Sequence, residues 1–191
     1  DHYAHDLYIL NIIKDKNLME ILLKIDTFCF HFINQVLSNP IFDFIMPLFH
    51  HSKYSIPLLL LLWILAIFYD KPNRWKLACI IPLAIILVDQ SGYWIKRMVL
   101  RPRPFVTIDP GINHHLVEPS GPYLSFPSNH AANNAVLAMI FSSIYHHFRF
   151  IFWGLAITVM FSRVYIGVHY PSVVMAGCIL GCVYGLLLVK G

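Results

Sequence analysis

Charge is what this chain has least of. Only 13% of its 191 residues are charged, against 58% hydrophobic, whereas soluble domains carry about a quarter charged residues. A water-soluble globular domain is excluded, and the mean hydropathy of +0.62 points to an integral membrane protein. Cysteine is also scarce: Cys29, Cys79, Cys178 and Cys182 all fall in apolar segments. No His or Cys is spaced beside them as a metal site, so buried free thiols are expected and disulfides are not. No basic run is interleaved with aromatic residues, which excludes a nucleic-acid surface. The net charge of +4 is read as loop charge together with a site for an anionic substrate. Asp1 to Asp15 lacks the basic-then-apolar form and small-residue cleavage site of a removable signal peptide. No low-complexity tract or long linker marks a second domain.

What the chain has is apolar runs. Leu7 to Leu37 mixes apolar and charged residues at helical spacing, which predicts an amphipathic helix in the membrane interface. Asn39-Pro40 breaks that pattern, so Thr27 to His50 is either one broken span or two interfacial pieces. Ser55–Tyr69, Trp75–Leu100, Ser128–Tyr145, Phe150–Gly167 and Val173–Val189 then read as spans. The expected fold is all-α: a polytopic transmembrane bundle of five to six spans. Residues 1–50 form an N-terminal interfacial region and 51–191 the core. Gly177, Gly181 and Gly185 recur at four-residue spacing, which lets helices approach closely, either within the bundle or between chains; oligomeric state stays open. Asp89, an acid inside a span, is expected to pair with Lys96 or a nearby arginine. Arg97 and Arg101 are expected to snorkel toward headgroups.

Alternating span directions bring four helix ends to one membrane face. They carry Lys96 to Arg103, Ser128 to His130, Arg163 and His169. The other face receives Lys71, Arg74, Lys76, His146, His147, Arg149 and Lys190 and is cytoplasmic by the positive-inside rule.

The polar groups at the shared face suit an oxyanion. Pro127, Ser128 and Asn129 are helix-start residues, and a helix start presents unpaired N–H groups and a positive dipole end. Lys96 and Arg103 stand seven residues apart, and His169 follows Arg163 by six. Cations and a helix start aimed at one point make a phosphate site. Two histidines beside it divide naturally into a nucleophile and a proton donor.

Lys96-x6-Arg103-Pro104, Pro127-Ser128-Asn129-His130 and Ser162-Arg163-x5-His169 resemble the three signature motifs of the type 2 phosphatidic acid phosphatase superfamily, over the stretch from Trp75 to the C-terminus. The resemblance implies that Lys96, Arg103 and Arg163 bind phosphoryl oxygens, with Ser128 and the amide of Asn129 as further donors. His169 becomes a phosphohistidine, and His130 protonates the leaving group. No metal and no cofactor is implied.

Two positions depart from the motifs. Asn129 replaces a glycine, and its side chain offers an extra donor. Val173 stands where an acid would orient His169, a loss worth about 10⁴ in rate by analogy with triad orienters. Either Val173 is an engineered inactivating change, which the intact remaining positions favour, or a natural variant uses another acid.

The resemblance places the chain among bacterial enzymes of the inner membrane, with a periplasmic site. The run from Phe126 to Asn134 is most similar to the lipid A 1-phosphatase group. Undecaprenyl pyrophosphate and phosphatidylglycerophosphate phosphatases are the alternatives. A non-catalytic lipid-phosphate binding or transport protein is a further alternative, favoured by Val173. The partners expected are a lipid phosphate and the bilayer. Phe105, His114, His115, Glu118 and Tyr123 on the long loop are candidate headgroup contacts.

Overall fold

Backbone polar groups in lipid must be satisfied within the segment that carries them, which leaves helices as the economical way for apolar runs to span. The computed structural model is helical, with no strand among the described residues. It describes residues 2–50, 52–109, 114–117 and 123–190; side chains are described from 17 onward, apart from 52–59 and 62.

Helix α1 covers His2–His31 and ends in a π-helical turn, Phe32–Val36. After it come α2 (Pro40–Ile45), a 3₁₀ turn (Met46–Phe49), α3 (Ser52–Tyr69), α4 (Arg74–Val99) and the short α5 (Pro104–Thr107). Helices α6 (Asn129–Ile144), α7 (Arg149–Tyr165) and α8 (Pro171–Lys190) complete the chain. Three stretches, Arg74–Val99, His146–Tyr165 and Pro171–Lys190, are long and apolar enough to cross a membrane. Helix α6, with 16 residues, is shorter.

Helix α6 is the central post. Ala132, Val136 and Ile140 pack with Leu77, Ile81, Ala84 and Val88 of α4. Ala131, Ala135 and Ala138 pack with Ala156, Met160 and Val164 of α7 and Val174 of α8. Large apolar side chains such as Trp75, Ile86, Ile151, Leu155, Ile179 and Leu187 remain exposed on the outside, as expected where the surrounding medium is lipid.

The glycine ridge is used inside the bundle. A Cβ at Gly177 would stand 2.4 Å from the Ser128 carbonyl oxygen, and one at Gly181 would stand 2.2 Å from that of Ala132. Helix α8 therefore lies directly on the backbone of α6, running parallel to it, and α6's first turn is fixed against α8's start.

Thr27 to His50 is broken into separate pieces. Asn39 caps α2 by accepting hydrogen bonds from the backbone amides of Ile41 and Phe42, and Phe42 packs edge-on to Phe161 and Tyr165 at the end of α7. The described part of α1 departs from the expected pattern. Its charged Glu20–Lys24 pair faces outward, but Asp26, Phe30 and Asn34 are buried. These three, one turn apart, make a partly polar inward face, while Leu22, Ile25 and Phe28 point out.

Candidate active site

Helix ends bring the site together. Helix α4 stops at Leu100, which takes a left-handed conformation, φ 52°, at a cost of about 1 kcal/mol for a residue with a Cβ. The turn sends the chain back across the bundle end. An isolated bridge joins Pro102 to Leu124, Arg103 N donates to Tyr123 O at 3.0 Å, and Ser125 N donates to Arg101 O at 2.7 Å. The long loop is thus stapled at its base, with Arg103 beside the start of α6. Arg103 Nε donates to Leu124 O at 3.4 Å. Burial pulls its pKa below the usual arginine value, though a guanidinium stays charged at neutral pH.

Lys96 Nζ, on the last turn of α4, donates to the Pro127 carbonyl and to Asn129 Oδ1. Asn129 Nδ2 in turn donates to Asp89 Oδ1 at 2.9 Å, as does Asn133 Nδ2 at 3.0 Å. This corrects the expectation for Asp89: its carboxylate meets two amides, and Asn129 stands between it and the lysine. The extra donor of Asn129 is likewise spent on Asp89. Helix α4 makes room with Gly92, where a Cβ would come 2.5 Å from Asn129 Oδ1.

Ser128 caps α6, its Oγ accepting from Ala131 N at 3.4 Å, which leaves its O–H as a donor. Ser128 N donates to Val173 O at 3.2 Å, tying the cap to α8. His130 is exposed, and its carbonyl accepts from Asn134 Nδ2 at 2.8 Å.

Arg163 and His169 are held by the end of α7. Gly167 has φ 81°, the left-handed conformation that closes helices and that glycine adopts without a Cβ penalty. Val168 N and His169 N both donate to Arg163 O, at 3.2 and 3.1 Å, so the tight turn folds the histidine back over the arginine. Arg163 is 1% exposed. Its Nη1 donates to His50 Nδ1 at 2.8 Å and its Nη2 to the Phe49 carbonyl; Nε has no protein partner.

His169 is 3% exposed, with Nδ1 3.0 Å from Ser125 Oγ. Burial, followed by the positive charge of Arg103 and Arg163, pushes its pKa well below that of a free imidazole. The ring is neutral at physiological pH, with a lone pair available on one nitrogen. The motif residues Lys96, Arg103, Ser128, Asn129, His130, Arg163 and His169 thus gather at one bundle end, Asn129 through Lys96 rather than through a free side chain. A neutral, buried imidazole ringed by cations is suited to attack an electron-poor centre that carries anionic oxygens.

Three residues of this end escaped the sequence: Ser125, His50 and Asp26. Asp26 overturns the reading of Arg101 as a headgroup residue. Arg101 Nη2 lies 2.5 Å from Asp26 Oδ2, Nη1 donates to Ser172 Oγ at 2.7 Å, and the guanidinium sits 4.6 Å from the Tyr170 ring centre. Ser172 N and Oγ also donate to Asp26. Arg97 does turn outward, over Tyr93 at 4.8 Å.

The loop residues divide. His114 is tied to Asn34, Ser38 and Asp43 and serves to dock the loop. His115 lies against Phe105, with ring centres 5.0 Å apart, and Phe105 lies beneath Arg103, so that pair borders the site. Tyr123 is exposed, and Glu118 lies outside the described residues. Among the described residues no three His, Cys, Asp or Glu side chains come together as metal ligands.

Residues 74–191 match the PAP2 superfamily, and the chain belongs to that family. It is 31% identical to a lipid A 4'-phosphatase of Bacteroides thetaiotaomicron, covering 86% of this chain and 75% of that protein. A lipid A 4'-phosphatase of Porphyromonas gingivalis is 25% identical over 90% of this chain and 75% of its own. An undecaprenyl-diphosphatase of Sulfolobus acidocaldarius is 35% identical over 52% of this chain and 45% of its own. Among solved structures, Aquifex aeolicus LpxE superposes with a TM-score of 0.66 at 25% identity, over 85% of this chain and 93% of that one. A phosphatidylglycerolphosphate phosphatase from Bacillus subtilis shares the fold, with a TM-score of 0.69 at 23% identity over 89% and 85% of the two chains. Within the superfamily, the chain stands with membrane lipid phosphatases.

Proposed function

We propose that this protein removes a phosphate from lipid A through a phosphohistidine, without a metal. The observation that carries the reading is the convergence of Lys96, Arg103, Arg163 and His130 on the buried, neutral His169. In the proposed reaction Nε2 of His169 attacks phosphorus, the bond from phosphorus to the lipid oxygen breaks, and that oxygen takes the proton of His130. Water then attacks the phosphohistidine and gives its proton to His130. The N–P bond breaks, His169 is restored and inorganic phosphate leaves. Lys96, Arg103, Arg163, the Ser128 hydroxyl and the Asn129 amide hold the phosphoryl oxygens.

Lipid A as substrate is supported by the two curated 4'-phosphatase relatives, while the Phe126 to Asn134 run favours the 1-phosphate. Undecaprenyl pyrophosphate and phosphatidylglycerophosphate are the alternatives. The basic residues at the opposite bundle end support an inner-membrane protein with its site on the periplasmic face. The family match beginning at residue 74 supports a catalytic core within 51–191 and an accessory region in 1–50.

Phosphate release from micellar lipid A 1-phosphate, lipid A 4'-phosphate, undecaprenyl pyrophosphate, phosphatidylglycerophosphate and phosphatidate tests the reading. A lipid A ester should lead, and His169→Ala should abolish turnover, a loss of about 10⁴-fold or more. Val173→Asp should raise turnover by supplying a charge for the imidazolium. Lipid binding without release in both the native and Val173→Asp forms would instead favour a non-catalytic lipid-phosphate binding or transport protein, the reading that Val173 motivates. Release that survives His169→Ala would overturn the mechanism.

A further inference from the structure

Ser125 is fully buried, in a protein whose inner surfaces are otherwise largely apolar. Its amide is used, donating to Arg101 O at 2.7 Å, so the backbone at this point is pinned by the stapled loop base. Its hydroxyl lies 3.0 Å from Nδ1 of His169. On the other side, the imidazole is fixed by its own backbone, since His169 N donates to Arg163 O. Both partners of the contact are therefore placed by main-chain hydrogen bonds, and neither needs to search for the other.

A histidine that attacks through Nε2 must carry its proton on Nδ1, and the group bonded to Nδ1 decides that tautomer. We propose that Ser125 is the positioning residue for His169: its oxygen accepts the Nδ1 proton, which leaves the Nε2 lone pair facing the phosphate site. This rests on the phosphohistidine reading above. A hydroxyl has two lone pairs and one proton, so donation by Ser125 to Nδ1 is the competing arrangement. That arrangement would put a proton on Nε2, in a ring that already lies in the positive field of Arg103, Arg163 and Lys96. The same cations attract a lone pair and repel an N–H, so they select the attacking tautomer. Val173 is apolar and fully buried, so it offers the ring no competing acceptor.

The assignment also states what Ser125 does not supply. A neutral oxygen orients the imidazole but does not neutralise the imidazolium that forms when phosphorus is captured. The chain is thereby an oriented but uncompensated nucleophile, slower than one backed by a carboxylate and not dead.

Histidine tautomers read by ¹⁵N NMR in detergent micelles test this directly, with His169 identified by comparison with His169→Gln. The native protein should show His169 with its proton on Nδ1. Ser125→Ala should shift it toward the other tautomer and lower kcat about tenfold to a hundredfold at unchanged KM, as when a supporting hydrogen bond to a functional histidine is lost. A proton on Nε2 in the native protein would overturn the proposal, as would a Ser125→Ala variant with unaltered tautomer or unaltered kcat. Should Ser125→Ala not fold, the native spectrum still decides. Turnover that survives His169→Ala sinks the phosphohistidine reading whatever the tautomer is, so the two failures are told apart.

Discussion

The two ends of the helix bundle carry similar kinds of polar residue and use them differently. At the end away from the site, Asp70 accepts from Tyr145 Oη at 2.5 Å and from Asn73 Nδ2 at 3.0 Å, and those hydrogen bonds, Tyr145's foremost, hold its carboxyl below the usual range. Trp63 Nε1 donates to Leu77 O at 2.9 Å. Asp70, Tyr145 and Trp63 are each answered by a neighbour, and the result is a closed turn. At the site end Arg103, Arg163 and Lys96 crowd one neutral histidine, while the acid beside them, Asp89, gives its oxygen to Asn129 and Asn133. Positive charge at the site end is thus focused on one buried ring, while Arg101 is paired with an acid, Asp26. The lesson is that the fold satisfies polar groups where it can, and where it gathers charge of one sign it leaves a place suited to a ligand of the other.

That contrast breaks first at Arg163. Arg163→Ala should lower kcat/KM about 10²- to 10³-fold, the range for losing a donor that stabilises transition-state charge. An equal loss from Tyr145→Phe at the far end would erase the distinction. Gly181→Ala comes next. Its new methyl would press on the Ala132 carbonyl, and overpacking of this kind costs about 1–3 kcal/mol. The expected result is a lower Tm together with lower kcat, because α6 opens at Ser128 and α8 follows directly on the turn that carries His169. A lower Tm with kcat intact would show that the ridge serves stability alone.

The pH profile sharpens the comparison further. Burial and nearby cations depress the His169 pKa, so the reactive neutral form persists as pH falls through the ordinary imidazole range near about 6.5. The acid limb of kcat/KM in His130→Ala should therefore lie below that range, since kcat/KM reports the free enzyme. A limb at or above it would contradict the burial. The smallest effect belongs to Tyr145→Phe, which should lower Tm slightly and leave turnover unchanged.

Much of this organisation was legible in the sequence. Apolar runs located the helices within a few residues, and alternation of span direction placed Lys96, Arg103, Ser128, Arg163 and His169 at one end. Residue type and helix-end position were enough for that. Contacts created by docking were not legible. Asp26 reaches Arg101 and Ser172 across most of the chain, and read alone it belongs to a charged stripe on an interfacial helix. His50 meets Arg163 because the break at Asn39-Pro40 turns α2 onto the end of α7. Ser125 is one polar residue of a long loop, and only the hydrogen bond from its amide to Arg101 O pins its backbone beside His169. Asp89 sits at helical spacing from Lys96, as an ion pair would, but an asparagine side chain from α6 fills the gap.

A cradle of three cations and a helix start has no means of knowing whether phosphate arrives on a lipid or remains behind as a free ion. On the proposed reading, the product of each turnover competes for the place of the next substrate. Inorganic phosphate added to the assay should therefore slow turnover by competing with the lipid. The same crowd of arginine and lysine that would capture the lipid's phosphate would also hold back its release.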